Sequence, residues 1–476
     1  MLGTEIATWA VAAGLVALTA LVLAMLVIAV TRSPAAGVWT VGVAHFVDTL
    51  FIGGFNLPLA VNTSPFDLAL VVLAAACMLR ARRLNWSDPI VRAWALTAMA
   101  WIGLFIVGSV QFKTRAGVEY RQFFYLSFGV AYFMSFDYTP ERVRQIIRIA
   151  LLFGLATLAI AVYRWGYELL VPGVHDWQER PGVLNWRVIN AQQTFVLVLL
   201  ALAGVAARMD RVGRGANQWI FSLPVLLIAV MLLQHRTNWV VFAVSLLILL
   251  ALRASDMPGR SHVAAALLLM SIGVVSGLVL SSESSLGDAM RASTAEPFER
   301  RSTIAWRIDS WTEVVRSWAK GGPVVWVTGS PFGVGWYRYI ESAGASGSFA
   351  EQSPHNFYVT VLGRGGLMGL AGLGASLLLA ARRLVQMRRA SVVDQVSGST
   401  ASFLVAVLIA HAAFFLTYAV VPFSVVFLGV ALAVASRSVD ATGEGPAVEC
   451  RPSLIEEHML PEAIDSAATV VPRRPL

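Results

Sequence analysis

The chain has 476 residues, of which 57% are hydrophobic and only 13% charged, with a mean hydropathy of +0.69. A soluble chain carries about 25% charged residues and could not cover a water-facing surface with half that share, and intrinsic disorder needs low hydrophobicity. The net charge of +8 and pI near 9.9 would suggest nucleic acid in a soluble protein. Here they have a topological explanation, and no nucleic-acid partner is expected.

Apolar blocks fall at residues 7–31, 36–54, 66–80, 93–110, 119–136, 146–169, 188–207, 217–234, 237–252, 262–280, 355–380, 400–418 and 420–436. Most approach the length that crosses a hydrocarbon core of about 30 Å at about 1.5 Å per residue. Only helices and closed barrels span lipid, and blocks without period-2 alternation read as helices. The expected fold is all-α, a polytopic membrane helix bundle of 12–13 spans, the lower number applying if the Gly- and Pro-broken region 36–65 does not cross fully. The first block lacks a basic leader and a clear small-residue cleavage site, so it reads as a span rather than a cleaved signal.

Arginines orient the bundle. Arg80, Arg82, Arg83 and Arg92, then Arg142, Arg144 and Arg148, then Arg208, Arg211 and Arg214 occupy alternate connections, and Arg253, Arg260, Arg382, Arg383, Arg388 and Arg389 continue the alternation. The positive-inside rule assigns all of these to the cytoplasm. Cys77 and Cys450 fall on the same side, where no disulfide is expected. The polar segment 437–476 reads as a disordered cytoplasmic tail, leaving 1–436 as the membrane-embedded domain.

Among the outward connections, residues 281–353 form a hydrophilic loop far longer than the usual helix–helix connection, and such loops are generally functional. Within it, Phe298 to Trp318 carries Trp306, Trp311, Val315 and Trp318 near helical spacing and reads as an amphipathic interfacial helix. Thr328 to Tyr339 reads as an ordered, Gly- and aromatic-rich turn. The loop's eight acidic residues nearly balance its seven bases, so its arginines as a group are explained by local pairing.

Arg236 is different. It lies in Gln234-His235-Arg236-Thr237-Asn238, a polar joint between two spans with hardly any loop. A charge there is costly unless it faces the bundle interior or a wet cavity, although snorkelling to the headgroups is the bland alternative. Arg121 and Arg187 sit similarly at the outer ends of spans. Ser353-Pro354-His355-Asn356 ends the long loop and opens a span. Ser353 suits an N-cap and Pro354 the first helical position, which puts His355 in the first turn. The helix dipole there disfavours imidazolium and attracts anions, so a neutral histidine is set beside an anion site, as a general base requires. The bland reading is a histidine hydrogen-bonded at the interface.

His45 and Asp48 share a face of one span, as proton relays and packing glue both do. Arg364, about one third into its span, either approaches the cavity floor or pairs elsewhere. No metal site is expected, because the histidines are scattered and the cysteines far apart. Nucleotide and serine-hydrolase fingerprints are missing, and no cofactor is expected.

Ser-Pro-His355-Asn356-Phe-Tyr-Val followed by Gly363-Arg364-Gly365-Gly366-Leu-Met-Gly369-Leu resembles the His-Asn…Gly…Gly motif of the O-antigen ligase and O-antigen polymerase superfamily. The joint at Arg236 is similar to that family's arginine after a short periplasmic turn. Arg307 with Trp311, then Gly329-Ser-Pro-Phe-Gly333-Val-Gly335, resembles its Arg…Trp and Gly-x-Gly pattern. The resemblance is concentrated in 236–369. It implies a metal-independent, GT-C-like, inverting glycosyltransferase in the bacterial inner membrane with its site facing the periplasm. The implied donor is a glycan on undecaprenyl diphosphate, and the acceptor is a glycan or lipid-linked glycan. Membrane lipid and polysaccharide-assembly proteins are the other partners it implies. By the family pattern His355 matches the base and Arg236 a diphosphate ligand, with Asn356, the motif neighbour of His355, and Arg307 in the loop as further substrate-binding residues. Arg187 and Arg121 are chosen for the family's further, N-terminal-half arginines. Two departures stand out: the joint reads Gln-His-Arg where Ser-Arg-Gly is commoner, and Arg364 stands where many members have an acidic residue.

The competing classes are an ion-coupled transporter or lipid-linked glycan flippase, suggested by His45 and Asp48, and a non-catalytic membrane scaffold. A transporter is expected to show symmetric broken helices; one large asymmetric loop argues against it. Within the lead reading, the Gln-His-Arg joint inclines to an exopolysaccharide or O-antigen polymerase over a ligase.

Overall fold

The computed structural model describes residues 21–51, 57–58, 62–170, 188–209, 217–254, 303–338, 348–350, 354–390 and 395–437. The expected span at 262–280, the start of the first span, Arg187, Ser353, Cys450 and the tail from 438 lie outside them. The described residues are overwhelmingly helical: α1 (Leu21–Arg32), α2 (Pro34–Leu50), α3 (Pro65–Arg80), α4 (Pro89–Phe112), α5 (Thr114–Phe124), α6 (Ala131–Met134), α7 (Pro140–Leu170), α8 (Ala191–Met209), α9 (Asn217–Leu232) and α10 (Arg236–Ala254). The later ones are α11 (Thr303–Lys320), α12 (Gly322–Thr328), α13 (Phe357–Ala390), α14 (Gln395–Phe414) and α15 (Val425–Arg437). Two short antiparallel ladders, Leu57–Pro58 with Asn62–Thr63 and Trp336–Arg338 with Ser348–Ala350, sit in connections.

Three of these helices, α4, α7 and α13, are long and apolar enough to cross a membrane, and shorter apolar helices accompany them. Large apolar side chains such as Met78, Leu79, Val110 and Leu378 are exposed, the reverse of a soluble protein and suited to lipid contact. The fold is a helical membrane bundle. Of the helix expected over Phe298 to Trp318, the part within the described residues is helical, as α11, and the span expected at 119–136 is α5 and α6 joined through a π-helical turn at Tyr125–Val130.

Local chemistry sets the helix starts. Ser64 and Asp67 form a capping box before α3, with Pro65 at its first position, and the Asp88 carboxylate accepts from Ile90 and Val91 N–H at the start of α4. Asn190 and Gln193 cap each other reciprocally at α8. Each satisfies backbone donors that lipid could not.

Long-range polar contacts sort the turns onto two ends. At one end Arg80 binds Thr31 and Ser135, Arg383 pairs with Asp88, and Arg437 pairs with Asp137. At the other, Arg164 donates to the carbonyls of Thr49 and Val188 at 2.6 and 2.8 Å, and His235 and Trp311 bind Ile189 and Pro354. Arg80, Arg383 and Arg437 thus gather opposite to the end that holds His355. Inside the bundle His45 shares a 3.0 Å hydrogen bond with Thr157 of α7, a polar contact between packed helices.

Candidate active site

Helix α13 starts one turn-defining step later than the sequence suggests. Phe357 is its first residue, and Asn356 caps it, its Oδ1 accepting from Val359 N–H at 3.1 Å. His355 is therefore outside the helix, not in its first turn, and holds φ +55°. The reason is competition between caps: an asparagine in place directly before Phe357 satisfies the first-turn donors, so Pro354 belongs to the incoming loop. A non-glycine residue in the left-handed region is uncommon and costs on the order of 1 kcal/mol, a cost that clusters at functional sites.

The surroundings fix that conformation. Trp311 of α11 donates from Nε1 to the Pro354 carbonyl at 2.7 Å. On the other side of His355, Phe357 N–H donates to the Phe415 carbonyl at 2.8 Å. The imidazole meets the Tyr418 ring edge-on at 6.2 Å between centroids, and the Arg307 guanidinium lies 5.3 Å from the centroid of the same ring. Tyr418 in turn stacks on Phe414. One residue away, Thr417 Oγ1 donates to Oγ1 of Thr237 at 3.2 Å, which brings the start of α10, and so Arg236, against the same turn.

The joint before Arg236 is built as a tight reversal. Gln234 has φ +53°, Nε2 of His235 donates to the Ile189 carbonyl at 2.8 Å, and Asn238 donates to the Ala191 carbonyl at 2.9 Å. Helices α8, α10 and α13 all begin at this end, so their positive dipole ends reinforce Arg236 and Arg307 as an anion-attracting field.

The expected residues therefore divide. His355 and Arg307 meet at Tyr418, Asn356 caps the helix whose first N–H binds Phe415, and Thr237, next to Arg236, is bonded to Thr417. Arg121 faces α3, with Nε 3.2 Å from the Asp67 carboxylate, which also accepts from the Tyr125 hydroxyl at 2.7 Å. Arg187 is outside the described residues. Tyr418, Thr417 and Thr237 carry no sequence signal that separates them from ordinary interfacial residues.

Arg364 pairs elsewhere rather than reaching the cavity floor. Its Nε and Nη2 contact Oε2 of Glu119 at 2.9 and 2.8 Å, and both side chains are almost completely buried. Oε2 also accepts from Gly333 N–H at 2.9 Å, Oε1 accepts from Gly335 N–H, and Arg364 donates back to the Gly335 carbonyl at 2.8 Å while stacking over Trp336. Glu119 and Arg364 thus clamp the Gly-x-Gly turn onto the bundle. A charged residue entering an apolar block is the signal that could have found Glu119.

Two glycines make the clamp sterically possible. α13 breaks at Gly366 (φ +58°), where a Cβ would lie 2.4 Å from the Val327 carbonyl oxygen; at Gly329 (φ +83°) it would lie 2.4 Å from the Gly365 nitrogen. Backbone meets backbone there with no room for a side chain.

These features define a helical membrane protein in which a histidine and an arginine share one tyrosine at one end of the bundle, with the helix that begins at Arg236 bonded to the same turn. The family model Wzy_C, O-Antigen ligase, matches residues 221–374, which contain Arg236, Arg307 and His355. The match covers about a third of the chain, and what it shows is that this stretch is similar to the O-antigen ligase family. No curated protein matches the chain.

Proposed function

We propose that the protein is a membrane-embedded glycosyltransferase that moves a glycan from undecaprenyl diphosphate to an acceptor sugar at the periplasmic face of the inner membrane. The observation that carries this reading is the convergence of His355, Arg307 and the start of α10 on the turn at 414–418, inside a stretch matched by the O-antigen ligase family. The anomeric carbon's bond to the diphosphate oxygen breaks, the acceptor oxygen bonds to that carbon, and the acceptor proton passes to His355. Displacement in a single step inverts the anomeric configuration. The diphosphate leaves readily once Arg236 and Arg307 stabilise its charge, so no metal and no general acid are needed. Asn356 holds the helix start that positions His355. Arg187 is proposed as a further phosphate ligand, and Arg121 as one whose pairing with Asp67 the donor would have to displace. The Gln-His-Arg joint favours polymerase over ligase; a product ladder on lipid-linked acceptor, rather than a single transfer, distinguishes them.

The test is purified protein with lipid-linked donor and acceptor. Arg236→Ala should lower transfer about 10- to 100-fold, the worth of a hydrogen bond to a charged group, with the protein still accumulating in the membrane. Arg236→Lys should recover only part, because an ammonium lacks the planar fork. Full activity in the lysine variant would reduce Arg236 to a point charge.

The orientation has its own test. Reporters fused within 303–338 should behave as periplasmic, and those near 210, 256 and 385 as cytoplasmic. A cytoplasmic signal from the long loop would overturn both the topology and the donor chemistry.

A further inference from the structure

At the end of the bundle opposite His355, a concavity of about 290 Å³ is lined by Arg32, Arg80, Arg83, Phe136, Asp137 and Arg142, among others. The positive-inside rule accounts for arginines in these connections. It does not account for four of them, from three separate segments, converging on one cavity, where like charges repel. Arg80 is the fixed wall. Its guanidinium is buried, lies 3.5 Å from the Phe136 ring centroid, and donates to Ser135 Oγ, the Ser135 carbonyl and the Thr31 carbonyl at 2.8, 2.7 and 2.8 Å. Three of its five N–H groups are thereby used, which fixes the plane of the guanidinium. Arg32, Arg83 and Arg142 are exposed at the rim.

The charge is not neutralised from within. Asp137 supplies the cavity's one carboxylate among the described lining residues, and Arg437 takes it as an ion pair. Arg142 reaches only the backbone carbonyl of Asp137, at 2.9 Å, and Arg437 donates to the Arg83 carbonyl at 3.4 Å. A buried, fixed guanidinium beside three exposed ones is a receptor for an oxyanion that accepts several charge-assisted hydrogen bonds. The volume lies at the lower end of small-ligand sites, about 300–1,000 Å³, and basic pockets between helices on the cytoplasmic side recognise lipid headgroups.

We propose that this cavity binds a phosphate-bearing anion, supplied in the membrane by the headgroup of an anionic phospholipid. The site is separate from the transfer chemistry and does not depend on it.

The test follows thermal unfolding of the full-length protein in neutral detergent during titration with short-chain phosphatidylglycerol, short-chain phosphatidylcholine or inorganic phosphate. Phosphatidylglycerol should raise Tm saturably and phosphatidylcholine should not. In the Arg83→Gln/Arg142→Gln variant the apparent affinity should weaken about tenfold or more, as expected when charge-assisted contacts to phosphate are removed. Both residues are exposed, so the variant should fold; Arg32→Gln with Arg142→Gln provides a second removal of rim charge. A saturable response to inorganic phosphate that the double variant also weakens identifies a soluble phosphate as the source and still supports the site. Arg382→Gln/Arg389→Gln, which removes charge elsewhere on the same end, should respond like the wild type. An unchanged response in the two rim variants, or an equal loss in the Arg382/Arg389 variant, overturns the proposal.

Discussion

Glu119→Ala should destabilise the protein by about 3–5 kcal/mol, the cost of leaving a buried charge without its partner. The Glu119 carboxylate accepts from Arg364 and from the amides of Gly333 and Gly335, so one substitution orphans a guanidinium and two backbone donors. Arg364→Ala should cost a similar amount. The double variant should be less damaging than the sum of the two, since each single change strands the other's charge. Unfolding in detergent, read for all three variants, gives the coupling directly. A loss below about 1 kcal/mol for Glu119→Ala would place the pair in the class of exposed ion pairs and remove its role as the clamp on residues 329–335.

On the proposed mechanism, His355→Ala should lower transfer about 10²–10⁴-fold, the usual contribution of a general base, with donor binding little changed because the phosphates are assigned to the arginines. Transfer by the wild type should also fall as pH is lowered, since imidazolium cannot accept the acceptor proton. His355→Gly separates chemistry from backbone. At φ +55° a glycine avoids a clash worth roughly 1–2 kcal/mol in an L-residue, so this variant should be as inactive as the alanine variant but more stable than it. Near-normal turnover with weakened donor binding in His355→Ala would make the residue a phosphate ligand and put the base elsewhere.

Fold class was legible in the sequence because lipid leaves few options. A chain with this share of apolar residues in long blocks must satisfy its backbone internally, and helices do that without reference to distant residues. The same holds for α11, whose tryptophans repeat at helical spacing, and for the position of Arg236 and His355 beside helix starts, set by their neighbours in sequence. Local competition was harder to judge. Ser353-Pro354 and Asn356 both look like helix starts, and only packing decided for Asn356, because Trp311 and Phe415 anchor the residues on either side of His355.

What the sequence by itself determined, then, is that this is a helical membrane protein with an arginine-rich end, a long loop and a histidine delivered to a helix boundary. Tertiary structure decided which charges meet. Arg364 and Glu119, 245 residues apart, form a buried pair; Arg121 turns to Asp67; Arg307 and His355 share Tyr418. The physical reason is range: helix periodicity and hydropathy are properties of neighbours in the chain, whereas a buried charge is stable only beside a partner that the packing of distant helices delivers.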